Sequence, residues 1–132
     1  AYFADVRVTQ VAPDEQTAAW QRMNPQTPKY PIELAKAGIR GCGVFKVQID
    51  ADGNTQSVDL VSAVPKKGLS KPAMKLVKSW KWQAKDTSLQ SLEARASLQQ
   101  PMIVRLDFCM GGNSLEEAAA MCQLQAQYAC QE

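Results

Sequence analysis

The segment Tyr30–Trp82, YPIELAKAGIRGCGVFKVQIDADGNTQSVDLVSAVPKKGLSKPAMKLVKSWKW, switches hydrophobic period twice and so decides the fold. Pro31 suits the first turn of a helix, where a missing N–H leaves nothing extra unpaired. Ile32, Leu34 and Ala35 give that helix its apolar side, and Gly38 suits the left-handed position that ends it. From Gly41 to Asp50 the period falls to two. Phe45, Val47 and Ile49 alternate with Val44, Lys46, Gln48 and Asp50, the pattern of a strand with one buried face. Asp50-Ala51-Asp52-Gly53-Asn54 reads as a turn, with Gly53 at the left-handed position. Val58 and Leu60 then alternate with Ser57, Asp59 and Val61 in a returning strand, which completes a hairpin. After the loop at Val64–Gly68, Ser70 is the expected N-cap and Pro72 is tolerated in the first turn. Ala73, Leu76, Val77 and Trp80 fall on one helical face. Lys71, Lys75 and Lys78 lie opposite, and with Lys66, Lys67, Lys81 and Lys85 they form a basic cluster, read as a solvated face in preference to a phosphate or lipid site.

Outward from this segment the signals weaken. Val6 and Val8 alternate with polar residues in a short strand that Pro13 and Asp14 interrupt. Asp14 is expected to cap a helical turn or two over Glu15–Met23, carrying Ala18, Ala19 and Trp20. Three prolines between Asn24 and Pro31 predict an extended lead-in. Beyond the tryptophans, Gln83–Gln100 is long and polar, and Leu89, Leu92 and Leu98 mark an additional helix over Ser88–Leu98, ended by Pro101. Met102–Cys109 is a third strand, with Val104, Leu106 and Phe108 inward and Ile103, Arg105, Asp107 and Cys109 outward. Gly111-Gly112 turns the chain. Ser114 with Glu117 forms a capping box for a last helix, whose apolar side is Leu115, Ala118, Ala119, Cys122 and Ala126. The fold class is α+β: a small three-stranded antiparallel sheet on two helices, with an extra C-terminal helix and a candidate N-terminal strand.

Composition narrows the function. The chain has 132 residues, 45% of them hydrophobic, enough for one modest core. A formal charge of +2 demands no nucleic-acid partner. There is no histidine, which removes Ser-His-Asp and Cys-His catalysis and histidine-based metal sites. Without paired carboxylates, a Gly-rich phosphate loop or metal-ligand spacing, the expectation is a protein that is not an enzyme and carries no cofactor or metal. No apolar run is long enough to span a membrane, so any anchor lies outside this chain, and no signal peptide is visible. The start AYFAD suits a mature N-terminus and a cut boundary equally. The four cysteines Cys42, Cys109, Cys122 and Cys130 contain no C-x-x-C pair, and their even number points to disulfides in an oxidising compartment.

Taken in order, Tyr30-Pro31, Ala37-Gly38, Gly41, the strand Val44–Ile49, Asp52-Gly53, the strand Val58–Ser62 and Trp80-Lys81-Trp82 resemble the C-terminal domain of the TonB family. The resemblance runs from Asn24 to Cys109. It departs from the family pattern in the alanine at Ala35, in Gln83-Ala84 where a proline is usual, and in the long segment from Gln83 to Pro101. The tail from Met110 to Glu132 lies outside the pattern. Residues 1–29 are then a lead-in, 30–109 the TonB-like domain and 110–132 a disulfide-linked helical tail. The resemblance implies a sheet in the order second, first, third, with 102–109 at an edge. It also implies a function: the edge takes a short extended peptide of an outer-membrane transporter as an added strand, in energy-coupled uptake from the periplasm. The implied anchor is in the inner membrane, through a helix upstream of the chain. Ile103, Arg105 and Asp107 are the expected partner-facing side chains, on a ladder that also includes Met102, Val104 and Leu106, with Tyr30 marking the approach of the peptide. The competing reading is that these residues only keep an exposed face soluble. Trp80 and Trp82 are read as packing residues. A freestanding disulfide-stapled adaptor of the TolA-like class, with another periplasmic partner and no energy coupling, is the alternative function. Both monomer and strand-exchanged dimer suit an open edge. If the Val6–Val11 strand covered 102–109, it would mimic the partner.

Two kinds of disulfide arrangement remain. Cys42 opens the first strand and Cys109 closes the third, so Cys42–Cys109 with Cys122–Cys130 is one. Eight residues of continuous helix span about 12 Å, too far for a bridge, so that pairing needs the helix to break before Cys130. The other joins each tail cysteine to the sheet and gives the tail a reason to carry cysteines; it is preferred.

Overall fold

The computed structural model describes residues 3–23, 27–85 and 98–131. Its elements in chain order are β1 (Ala4–Ala12), β2 (Trp20–Arg22), α1 (Ile32–Ala37), β3 (Gly41–Ile49), β4 (Thr55–Val64), α2 (Lys66–Lys78), β5 (Trp82–Ala84), β6 (Met102–Met110) and α3 (Leu115–Gln125). The main sheet is antiparallel with order β1-β6-β3-β4, and β2 pairs with β5 in a separate ribbon. The order β4-β3-β6 agrees with the expected second, first, third. The sheet has four strands, however, and the fourth corrects the expected edge: β6 is interior, with β3 on one side and β1 on the other.

The alternation read from the sequence sets the layers. Phe45 lies opposite Val104, Gly43 opposite Leu106 and Val47 opposite Met102, all on the inner face. Phe45, Val47, Val104, Leu106 and Phe108 are buried there with Leu34 of α1 and Leu69, Ala73 and Val77 of α2. The other face of β1 and β6 carries α3, so helices lie on both sides of the sheet.

The turns follow their glycines. Gly38 has φ 68° and ends α1, its N–H reaching Ala35 O, while Ile39 N–H closes back onto Leu34 O at 2.9 Å. Gly53 has φ 85°, and a Cβ there would lie 2.1 Å from the Trp82 carbonyl oxygen. The hairpin turn therefore seats directly on the tryptophan segment. Trp82 N–H donates to Gly53 O at 2.7 Å, Trp82 Nε1 donates to Thr55 Oγ1 at 2.9 Å, and Thr55 Oγ1 donates to Trp80 O at 2.8 Å. Asp50 Oδ1 accepts from the N–H groups of Asp52 and Asn54, and the Asn54 contact leads in holding its carboxyl below the usual range.

Local expectations need two corrections. Asp14 does accept N–H bonds from Gln16 and Thr17, but the turn stops there, and Trp20–Arg22 is strand instead of helix. Trp20 and Trp82 pack together in the core, so pairing with β5 overrides the weak helical pattern. Ser70 does not cap α2. Lys67 and Gly68 are non-helical, so continuous helical geometry begins at Leu69 and Ser70 already lies inside it, its hydroxyl donating back to Lys66 O at 2.6 Å. The additional helix expected over Ser88–Leu98 falls almost wholly outside the described residues.

Candidate functional site

The strand bearing the expected partner-facing residues lies between two neighbours and beneath a helix. Met102, Val104 and Leu106 are buried on the inner face. Ile103, Arg105, Asp107 and Cys109 point to the opposite face, as their alternation requires. There α3 and the tail cover Arg105, Asp107 and Cys109.

Asp107 is fully buried. Arg105, two residues away on the same face, grips its carboxylate with two parallel bonds, Nε to Oδ2 at 3.0 Å and Nη2 to Oδ1 at 3.1 Å. Gln125 Nε2 adds a third donor at 2.9 Å from Oδ1 and also reaches Gly41 O at 2.8 Å. The guanidinium then turns its remaining N–H groups to the end of α3, Nη1 to Tyr128 O at 2.6 Å and Nη2 to Gln125 O at 3.1 Å. A cation thus meets carbonyls at and just beyond the C-terminus of α3, where the helix dipole also favours positive charge. An ion pair on β6 serves as the seat of the tail.

The tail needs that seat because it buries little apolar surface. Within α3 only Ala118 and Cys122 are buried, while Leu115, Met121 and Leu124 are exposed. Cys109–Cys122 ties α3 to β6, and Cys42–Cys130 ties the segment beyond it to β3, with Cα separations of 5.5 and 5.8 Å. This is the pairing in which each tail cysteine bridges to the sheet. Ser114 Oγ accepts the Glu117 N–H at 3.1 Å as expected of the capping box, but the Glu117 carboxylate takes the Asn113 N–H, one residue before the cap.

Tyr30 sits on the inner face of β6, toward its C-terminal end. Its ring meets Phe108 edge-on at 5.6 Å between centroids, and its hydroxyl donates to Ile39 O at 2.5 Å. Burial pushes the hydroxyl up to about 12. Thr27 and Pro28, which lead to Tyr30, bound a shallow recess with Asp5–Val8 of β1, so the approach to Tyr30 runs along the strand that occupies the β6 edge. Trp82 is buried and Trp80 half-buried against it, 6.1 Å between centroids, with the Arg22 guanidinium 4.6 Å over the Trp80 ring. Both therefore pack, as read. The basic cluster is split: Lys66, Lys67, Lys71 and Lys75 rim an open groove with Glu33 and Leu60, whereas Lys81 and Lys85 turn to Asn54 and to the Glu15 carbonyl.

Sequence reasoning missed the partners that α3 supplies. Gln125 and the carbonyl of Tyr128 carry no sequence signal for their role. The β2–β5 ribbon had one, since Trp20-Gln21-Arg22 and Trp82-Gln83-Ala84 repeat the same apolar-polar start. Among the described residues, no group of cysteines and carboxylates could hold a metal ion, and no helix is long and apolar enough to cross a membrane.

The described residues form an α+β domain with an antiparallel main sheet, stapled by two disulfides. The comparisons give that class its family. The family model described as Gram-negative bacterial TonB protein C-terminal matches residues 26–101, and the chain belongs to that family. Protein TonB from two strains of Xanthomonas campestris pv. campestris is 32% identical over 75 residues, which is 57% of this chain and 33% of each relative. The chain thus matches about a third of the length of these curated relatives. No solved structure matches. The family match ends at residue 101, one residue before β6 begins.

Proposed function

We propose that the chain is a periplasmic binding domain of an energy-coupled uptake system, gripping an extended segment of an outer-membrane transporter by strand addition at β6. Family membership supplies the transport context. The observation that carries the strand-addition reading is the register of β1 on β6, from Ala4 opposite Met110 to Gln10 opposite Val104 without a break. The outer edge of β6 accommodates an extended segment along nearly its whole length, and backbone pairing of that kind gives affinity with little demand on sequence. Met102–Asp107 form the ladder, and Tyr30 stands where the lead-in passes the added strand. Force transmission belongs to the longer protein of which such a domain is one part.

The test is titration of isotope-labelled chain with synthetic peptides copying the N-terminal segments of outer-membrane transporters. At least one peptide should bind saturably at micromolar concentration and shift backbone resonances of Met102–Asp107 and of Tyr30. No binding by any of them, or shifts confined to β4 and α2, would overturn the reading.

A further inference from the structure

The strand that fills the β6 edge fits it incompletely, and nothing covalent holds it there. Of the nine residues of β1 only Val6 is buried, against six of nine in β6. Val8 leaves space beside it: a cavity of about 560 Å³ is lined by Val8, Gln10, Trp20, Trp82 and Val104 among others. Thr9, the next residue, has its hydroxyl oxygen buried without a hydrogen-bond partner, a costly arrangement for a polar group. The pairing ends in a register shift between Gln10 and Ala12.

Both disulfides run to the strands that flank this position and neither to β1. Cys109–Cys122 fixes α3 to β6 and Cys42–Cys130 fixes the tail to β3. The Arg105–Asp107 seat is likewise built from β6 and the tail alone. The outer wall of the slot, although it also packs on β1, therefore stays tethered to β6 and β3 when β1 leaves.

We infer that β1 is a built-in stand-in for the partner strand, displaced from the β6 edge by an extended peptide with a bulky apolar side chain at the Val8 position and an apolar one at the Thr9 position. The inference rests on the strand-addition reading and adds to it a competitor and a sequence preference. A larger side chain at the eighth position enters the cavity between Trp20 and Trp82 and gains the apolar contacts that valine leaves unmade. A valine in place of Thr9 has the same shape and removes the unpaired hydroxyl. The other two candidates in the molecule, the lysine-rimmed groove by α2 and the exposed apolar stripe on α3, carry no comparable sign of what occupies them.

The phase of the ladder supplies the readout. Gly111 N–H donates to Phe3 O at 2.9 Å, so by alternation Asp5, Arg7 and Thr9 direct their N–H groups at β6. The experiment uses the full chain in its oxidised form and two synthetic peptides, the native Phe3–Ala12 sequence and the same sequence with Val8→Phe and Thr9→Val. The substituted peptide is expected to bind about tenfold or more tighter than the native one, and to strip hydrogen-exchange protection from Asp5, Arg7 and Thr9 while the amides of α3 keep theirs. Installing Val8→Phe and Thr9→Val in the chain itself should raise its Tm and weaken binding of either peptide about tenfold. Because that variant is stabilised, loss of folding does not confound it. Peptide binding with β1 protection intact, equal affinity of the two peptides, or no binding by either would overturn the inference. If transporter peptides displace β1 but the two β1-like peptides bind with equal affinity, this inference falls and the proposed function stands. If only the β1-like peptides exchange in, the reverse holds.

Discussion

Replacing Asp107 by asparagine should cost about 3 kcal/mol of folding stability. Its two carboxylate oxygens accept three donors, Arg105 Nε and Nη2 and Gln125 Nε2, all within 3.1 Å. An asparagine offers one oxygen and one NH2 group, so in either orientation an NH2 faces a donor and at least one bond becomes a repulsion. The guanidinium keeps one bond to the amide oxygen and the carbonyls of Gln125 and Tyr128, and has lost its counter-charge. Breaking one side of a fully buried pair costs about 3–5 kcal/mol. Arg105 keeps 11% of its side-chain surface in solvent, which draws the figure to the lower end. For a chain of this size such a loss lowers Tm by roughly 10 °C. Urea denaturation of the oxidised protein measures it, with Arg105→Met plus Asp107→Leu as the reference. The double variant removes both charges at once and should recover most of the loss, because the carbonyls it frees lie on residues with access to water. A single variant within about 0.5 kcal/mol of the parent, or a double variant as unstable as the single, would refute the view of this pair as the seat of the tail.

Gly53→Ala should destabilise by about 2 kcal/mol or more, since a Cβ meets the Trp82 carbonyl at 2.1 Å and φ is 85°; thermal melts would detect it, and a neutral result would refute the turn-on-tryptophan packing. Tyr30 carries a folded-state value of about 12 against an ordinary 10.0. Its ionisation therefore has no effect on stability well below pH 10, and costs the fold stability as pH rises from 10 to 12, because the unfolded chain ionises first. Tyr30→Phe should remove that alkaline decline, as read from denaturation midpoints across this range, at the cost of about 1 kcal/mol at neutral pH for the lost bond to Ile39. Removing the 88-residue bridge by Cys42→Ser with Cys130→Ser should cost up to about 4.5 kcal/mol, against about 3 kcal/mol for the 13-residue bridge when Cys109 and Cys122 are both replaced by serine. The opposite ranking in denaturant titrations would show that loop length does not govern the tail.

What the sequence makes legible here is what a local period or a single special residue encodes. The β3–β4 hairpin, Gly38, Gly53 and the inward set Val104, Leu106 and Phe108 are all of this kind, since period two or a left-handed turn leaves few alternatives. Trp20 shows the limit. Its short apolar stretch is compatible with a helical turn, and only pairing with the distant β5, where it lies opposite Ala84, makes it a strand. The edge shows it more sharply. The alternation of Val6 and Val8 reveals a strand, but no local signal states which strand it pairs with, and that choice decides whether β6 is open. The face beyond Asp107 is also opaque to pattern reading. A charged pair at alternate positions on a strand reads as solvent-exposed, and here it is buried because a helix rich in alanine and glutamate is tied over it by cysteines.

The elements beyond the family match converge on one place. β1 pairs with the edge of β6, and α3 covers its outer face, so residues on both flanks of the matched region shape the same slot. Cys122 Sγ lies 3.6 Å from the Asp5 carbonyl oxygen and 3.3 Å from that of Asp107, wedged over the two strands where they run together. A partner that must displace β1 binds with an apparent affinity reduced by the fraction of chains in which the edge is open. Each 1.4 kcal/mol that β1 gains on the edge weakens the partner about tenfold, and about 2 kcal/mol leaves roughly 3% of the chains open. The cost falls equally on every competing peptide, so it does not choose between them. It sets a threshold that only a strand fitting the slot better than β1 overcomes, and the two places where β1 fits badly, Val8 and Thr9, are where such a strand gains its advantage.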